Sequence, residues 1–128
     1  MTRRSPALAG LVLLAAALVA ACGSGPASPE ASAEPNSPTI ASKDTRFNRT
    51  ELDVPAGRAF TLVYENQEST GHNVAIYTDQ SAGTVLFKGS VYAGPATHVY
   101  SVPALAAGTY YFRCDIHPDM NGSVVAKP

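Results

Sequence analysis

The sequence is poor in the residues that usually build metal or disulfide frameworks, with two cysteines, two methionines and three histidines in 128 residues. Cys22–Cys114 is therefore the only disulfide the chain can form. A binuclear copper site, which needs two bridging thiolates, is excluded from the C-terminal part, where Cys114 stands alone. Charge of one sign is missing too: nine Lys and Arg face ten Asp and Glu without a basic cluster, which argues against a nucleic-acid partner. No apolar run reaches the ~20 residues of a membrane span. No stretch holds a helical period over a useful length, and there is no internal repeat. What remains is room for one modest domain built from short strands.

The first residues read as a targeting segment. Thr2-Arg3-Arg4-Ser5 is a short basic start, and Leu8 to Ala21 is an uncharged run rich in Leu, Val and Ala. At about fourteen residues it has the length of the apolar part of a secretory signal. Val19-Ala20-Ala21-Cys22 resembles the lipobox of bacterial lipoproteins, in which the cysteine is acylated and becomes the first mature residue. The expectation is a signal peptide over 1–21 and an exported chain held to the cell membrane by lipid on Cys22, facing the periplasm or the extracellular side. Arg3-Arg4 is compatible with twin-arginine export, although the flanking residues match that signal poorly. Loss of 1–21 leaves seven basic against ten acidic residues, a net charge of −3. Residues 22–39 hold Gly, Ser, Pro, Ala, Glu, Asn and Thr after the cysteine and no large apolar side chain, the composition of an extended tether. With Cys22 lipidated, Cys114 is an exported thiol without a partner, and such a thiol needs a use.

From 40 to 128 the texture changes to short β-branched and aromatic runs cut by turn residues. The runs are Phe47–Val54, Arg58–Glu65, Asn73–Tyr77, Thr84–Lys88, His98–Val102, Thr109–Cys114 and Ser123–Lys127. About seven or eight strands of this kind predict an all-β sandwich. The strand period of two adds a test: with Cys114 facing inward, Phe112 and Tyr110 face inward with it, and Tyr111 and Arg113 face out. His72, Val74 and Ile76 likewise share one side, so a site made from His72 and Cys114 lies at one end of the core.

The chemistry concentrates in Tyr110–Gly122, YYFRCDIHPDMNG. Taken singly, Cys114 is a small buried hydrophobe, Met120 is gap-filling bulk, and His72 or His117 is a satisfied or surface histidine. Taken together, Cys114, His117 and Met120 recur at intervals of three in a loop that returns directly into a strand, so three donors converge without a long loop closure. His72 is the obvious further donor. Thiolate, imidazole and a weak thioether suit copper moving between its two oxidation states, whereas structural zinc sites usually offer more thiolate. His98 lies in a strand pattern with no donor beside it. Asp115 and Asp119 flank the donors and read as solvated loop positions or partner contacts.

The elements Gly71-His72-Asn73-Val74 and Cys114-x-x-His117-Pro118-x-Met120-x-Gly122 resemble the cupredoxins, the small blue-copper family that includes plastocyanin and amicyanin. The two-residue gap between His117 and Met120 is closer to the amicyanin pattern. The resemblance covers 40–128 and implies a Greek-key β-sandwich with one copper ion cycling between Cu(II) and Cu(I). It implies His72, Cys114 and His117 as a trigonal plane and Met120 as a long axial ligand. It further implies that Asn73 braces the ligand loop by hydrogen bonds, and that the Gly71 carbonyl approaches the metal from the opposite side. If His117-Pro118 reaches the surface, the imidazole edge gives the electron a short way out.

These expectations describe a monomeric, type 1 copper protein passing single electrons between redox protein partners. Copper binding and delivery in the cell envelope is the alternative. Such proteins often use Met- and His-rich exposed sites, and beyond the initiator this chain has only Met120. An enzyme reading, as oxidase or nitrite reductase, needs histidines beside the cysteine to reach a second copper centre; here Arg113 and Asp115 occupy those places.

Overall fold

The structure, a computed structural model, describes residues 31–128. The expected signal peptide and Cys22 lie outside the described residues. Nine strands and no helix are found among the described residues: β1 (Thr39–Lys43), β2 (Arg46–Phe47), β3 (Glu51–Pro55), β4 (Phe60–Asn66), β5 (Ala75–Tyr77), β6 (Val85–Lys88), β7 (Ala96–Val102), β8 (Gly108–Arg113) and β9 (Asn121–Lys127). They form two sheets, ordered β2-β1-β4-β7 and β3-β9-β8-β5-β6. The pairs β1/β4 and β3/β9 are parallel and the others antiparallel.

The all-β sandwich is as expected from the runs, with two strands more than the seven runs picked out. One is β1, which begins at Thr39. The other arises because Phe47–Val54 is not one strand. Asn48 stays hooked to β1, its Oδ1 accepting from Ala41 N at 2.8 Å and its amide donating to Ala41 O at 2.9 Å. Two residues later the Thr50 carbonyl accepts from Ser123 N in the other sheet. The chain changes sheets between these anchors. Upstream of β1, Glu34 N donates to Thr61 Oγ1 at 3.2 Å and Pro38 O accepts from Val63 N at 2.9 Å, so residues 34–38 lie along β4.

The period of two places the core. Phe60, Leu62 and Tyr64 of β4 alternate inward, as do Leu52 and Val54 of β3 and Val124 and Ala126 of β9. With Ile40, Val74, Ile76, Tyr100, Val102, Leu105 and Phe112 they form one apolar cluster between the sheets. Tyr110 packs against it from the edge, and Tyr111 and Arg113 stand on the opposite face. β5 departs from simple alternation, since Ala75, Ile76 and Tyr77 are all buried. Its outer face is covered because Tyr111 meets the Tyr77 ring at 6.5 Å between centroids and the Arg113 guanidinium lies 5.0 Å over it.

Candidate metal centre

Two connections meet at one end of the sandwich. The first runs from β4 to β5 and is wound around Asn66, which is 1% exposed. Its Nδ2 donates to Thr70 O at 2.7 Å and to Tyr92 O at 2.8 Å, while its Oδ1 accepts from Ser42 Oγ and Glu68 N. All four hydrogen-bonding positions of the amide are used, which is what makes its burial tolerable. His72 follows, held by a two-way backbone bridge with Tyr92 at 3.0 and 3.1 Å. The second connection leaves β8 at Cys114 and enters β9 at Asn121. It is closed by Cys114 N donating to Met120 O and Met120 N donating to His117 O, both at 2.9 Å. Gly122 completes the return, because a Cβ there would stand 2.7 Å from Phe112 Cε1 and closer still to the Thr50 carbonyl.

These connections bring three donor atoms together. His72 Nδ1 and His117 Nδ1 are 3.1 Å apart, and Cys114 Sγ is 3.8 Å from the first and 3.9 Å from the second. Cys114 and His72 are fully buried, and His117 is half-buried. A triangle with those edges has a circumradius of about 2.1 Å, against metal–nitrogen bonds of about 2.0–2.1 Å and metal–thiolate bonds of about 2.3 Å. One cation in the plane therefore fits all three atoms. A thiolate with two imidazole nitrogens is a donor set that thiophilic metals, copper among them, take well.

The surroundings fix the donors. His72 Nε2 donates to Glu68 Oε1 at 2.7 Å, leaving Nδ1 as the free lone pair facing Cys114 and His117. Glu68 is held below its ordinary carboxyl value chiefly by the Thr45 amide, with the hydrogen bond from His72 adding to it, against an opposing effect of burial second in size to the Thr45 bond. Asn73 ties the two connections together. Its Oδ1 accepts from Asp115 N at 2.9 Å, and its Nδ2 donates to Gly89 O at 2.9 Å and to Asp115 Oδ2 at 3.0 Å. Asp115 also accepts from Tyr77 Oη and pairs with Lys88 Nζ at 3.3 Å. Burial pushes its carboxyl up, but the Tyr77, Asn73 and Lys88 bonds outweigh this and leave it below the usual aspartate range.

Of the residues singled out from the sequence, His72, Cys114 and His117 share this cluster. Met120 is buried at the end of the same loop, 3% exposed. Gly71 is set against Val91, where a Cβ would come within 3.1 Å of Cγ1. Pro118 and Asp119 are exposed beside His117. Asp115 is neither solvated nor free, since it is the acceptor at the centre of the Asn73–Tyr77–Lys88 network. His98 lies in β7 with its ring stacked on Tyr92. Sequence reasoning missed Asn66 and Glu68. Glu68, four residues before His72, sits in the polar run Glu65–Thr70 and looks like any loop acid. The exposed apolar residues Ile116 (52%) and Val91 (46%), next to His117 and Gly71, also went unremarked.

Known proteins share this fold. The family model of the cupredoxin-like domain matches residues 11–126. Among solved structures, auracyanin A, described as a "blue" copper protein from Chloroflexus aurantiacus, superposes with a TM-score of 0.60 at 24% identity over 70% of this chain and 96% of its own. Amicyanin from Paracoccus versutus gives a TM-score of 0.56 at 25% identity, over 72% and 82% of the two chains. A reduced amicyanin variant reaches 30% identity at a TM-score of 0.55, over 71% and 82%. No curated protein sequence matches the chain significantly. With the family model spanning most of its length, the chain belongs to the cupredoxin-like domain family.

Proposed function

We propose that the domain is a type 1 copper protein that carries single electrons between protein partners, with His72, Cys114 and His117 holding the metal and Met120 as a weak axial donor. The observation that carries this reading is the triangle of two Nδ1 atoms and one thiolate sulfur, sized for a single cation. Copper bound there supplies a one-electron couple. His72, Cys114 and His117, with Met120 as a weaker donor, would offer a set between the preferences of Cu(II) and Cu(I), which would suit one-electron exchange with little rearrangement of the chain. The chain's own residues supply the rigidity. Asn73 and Asp115 lock the two connections together, and Cys114 and His72 are shielded from water.

Electron exchange calls for a close approach by a partner, and the half-buried His117 supplies the approach point. Ile116 and Pro118 beside it are exposed, which suits a partner with an apolar face of its own. The burial of Met120 leaves no exposed thioether in the described domain, which favours a carrier over a copper-delivery protein. Export, lipidation at Cys22, a tether shorter than the expected 22–39 because Glu34 to Thr39 already bond to the sheet, and a monomeric state complete the reading; export, anchor and tether rest on the sequence pattern and put the carrier at the outer face of the cytoplasmic membrane.

The test is the absorption spectrum of the oxidised, copper-loaded protein. Thiolate ligation predicts an intense band near ~600 nm, absent from Cys114→Ser. His117→Gly should open the site to added imidazole while the domain stays folded. A colourless wild type, or copper spectra that ignore the loss of His117, would remove the assignment.

A further inference from the structure

We infer that Glu68, clamped by the β1–β2 turn, is a positioning residue that fixes the ring of His72 and thereby biases the site toward Cu(II); the second half rests on the copper reading above. Three observations converge on this carboxylate. Its Oε1 is shared by two donors, His72 Nε2 at 2.7 Å and Thr45 N at 2.9 Å. Its backbone is pinned at both ends, the amide donating to Asn66 Oδ1 at 3.1 Å and the carbonyl accepting from Gly94 N at 2.8 Å. Gly94 is needed for that approach, since a Cβ there would overlap the Asn66 and Glu68 carbonyls.

The third observation is where backbone strain sits. Lys43 pairs with Arg46, so Asp44 and Thr45 are the two turn residues, with φ of +52° and +55°. Such a turn ordinarily takes Asn-Gly, and a residue with a larger side chain at the second position is disfavoured. Thr45 is β-branched, the least suited kind. The strained residue is the one whose amide points at Glu68. Strain held at a contact to a functional group is a reason to look for a role there.

The role follows from the acceptor. A carboxylate on Nε2–H selects the tautomer with Nδ1 free, holds the ring plane and makes the imidazole a stronger donor to metal. A stronger anionic-side donor favours the more highly charged oxidation state. His72 is fully buried, while the Glu68 side chain is 20% exposed, so Glu68 is also its link to the surface.

The experiment compares wild type, Glu68→Gln and Glu68→Ala, first without metal. Proton–nitrogen NMR of the wild type should show His72 as one tautomer, with a slowly exchanging Nε2–H. Glu68→Gln, which keeps an acceptor oxygen, should retain that tautomer, and Glu68→Ala should lose the slow exchange. This arm needs no copper, so it stands whatever the absorption spectrum shows of the metal assignment. In the copper-loaded proteins, loss of the carboxylate charge should weaken Cu(II) binding by about 10-fold or more, and Cu(I) binding less. Each tenfold of difference raises the potential by about 59 mV. Should Glu68→Ala not fold, Glu68→Gln carries the electrochemical arm alone. A folded Glu68→Ala with unchanged His72 exchange overturns the positioning role, and a wild-type potential in Glu68→Gln overturns the bias.

Discussion

Among the described residues the buried polar side chains are Ser42, Asn66, His72 and Asn73. Each lies in or beside the connections that build the metal centre, and each is hydrogen-bonded. A buried amide without partners costs several kcal/mol, so these side chains persist because the loops supply partners. Asn73 is the sharpest case. Asn73→Ala strands the Gly89 carbonyl and the Asp115 amide, and it should cost about 1–3 kcal/mol in urea denaturation, with copper released more readily because the Cys114 loop loses its tie to His72. Asn73→Asp keeps an acceptor for the Asp115 amide but faces the Asp115 carboxylate, so it should be no milder. A fully stable, copper-retentive Asn73→Ala would show that the tie is ornamental. Spacing reveals only partners near in the chain, and His72, 42 positions before Cys114, is reached from the sequence only as the remaining donor. Cys114, His117 and Met120 declare themselves by spacing. Glu68 does not, because half of what it does depends on Thr45, a residue 23 positions away that only the register of the sheet brings alongside.

At the scale of elements, β4, β7, β8 and β9 were legible because each alternates against a single core face. The short edge strand β2 was not. β2 is two residues long, below any period, and its existence rests on the Asp44–Thr45 turn and on Asn48 hooking to β1. β5 falls inside the run Asn73–Tyr77, but it does not alternate, its outer face being covered by side chains from β8. The β1–β2 turn offers a prediction at this scale. Thr45→Gly relieves a left-handed β-branched residue, worth about 1–2 kcal/mol, and gives back about 0.5–1 kcal/mol through the freer unfolded chain. The variant should be modestly more stable, by about 0.5–1 kcal/mol in thermal unfolding. Because glycine keeps the amide that donates to Glu68, its reduction potential should match the wild type. A loss of stability would mean that the turn is held without strain.

At the scale of the whole molecule, four aromatic rings form one connected column that reaches the connection carrying His72. Tyr64 and Tyr100 stack at 5.8 Å, Tyr100 and Tyr92 at 6.4 Å, and Phe87 tilts against Tyr100 at 5.5 Å. This column ties the first sheet to the connections that carry His72, through the Tyr92 bridge and through Tyr64 Oη bonded to Ser42 Oγ at 2.8 Å. The phenols of Tyr64 and Tyr100 are costly to ionise. Burial, then the Cys114 and Glu68 charges, outweigh the Ser42 bond and push Tyr64 up to about 12. Tyr100 is raised further, by burial and then by its tyrosine neighbours. A group whose folded value is raised above its unfolded value of about 10 contributes stability that is complete below that pH. The contribution drains away as pH climbs from about 10 through about 12, and Tyr64 alone accounts for about 2–3 kcal/mol of it. The sandwich should therefore unfold cooperatively in that alkaline window, and the last phenolate absorbance should appear together with the loss of β-sheet circular dichroism. Tyr64→Phe should move the transition to higher pH while lowering stability near neutrality, where the Ser42 hydroxyl keeps Asn66 Oδ1 but loses its second partner. If all six tyrosines titrate together near the ordinary phenol value with the sheets intact, the column is open to water and does not hold this end of the sandwich.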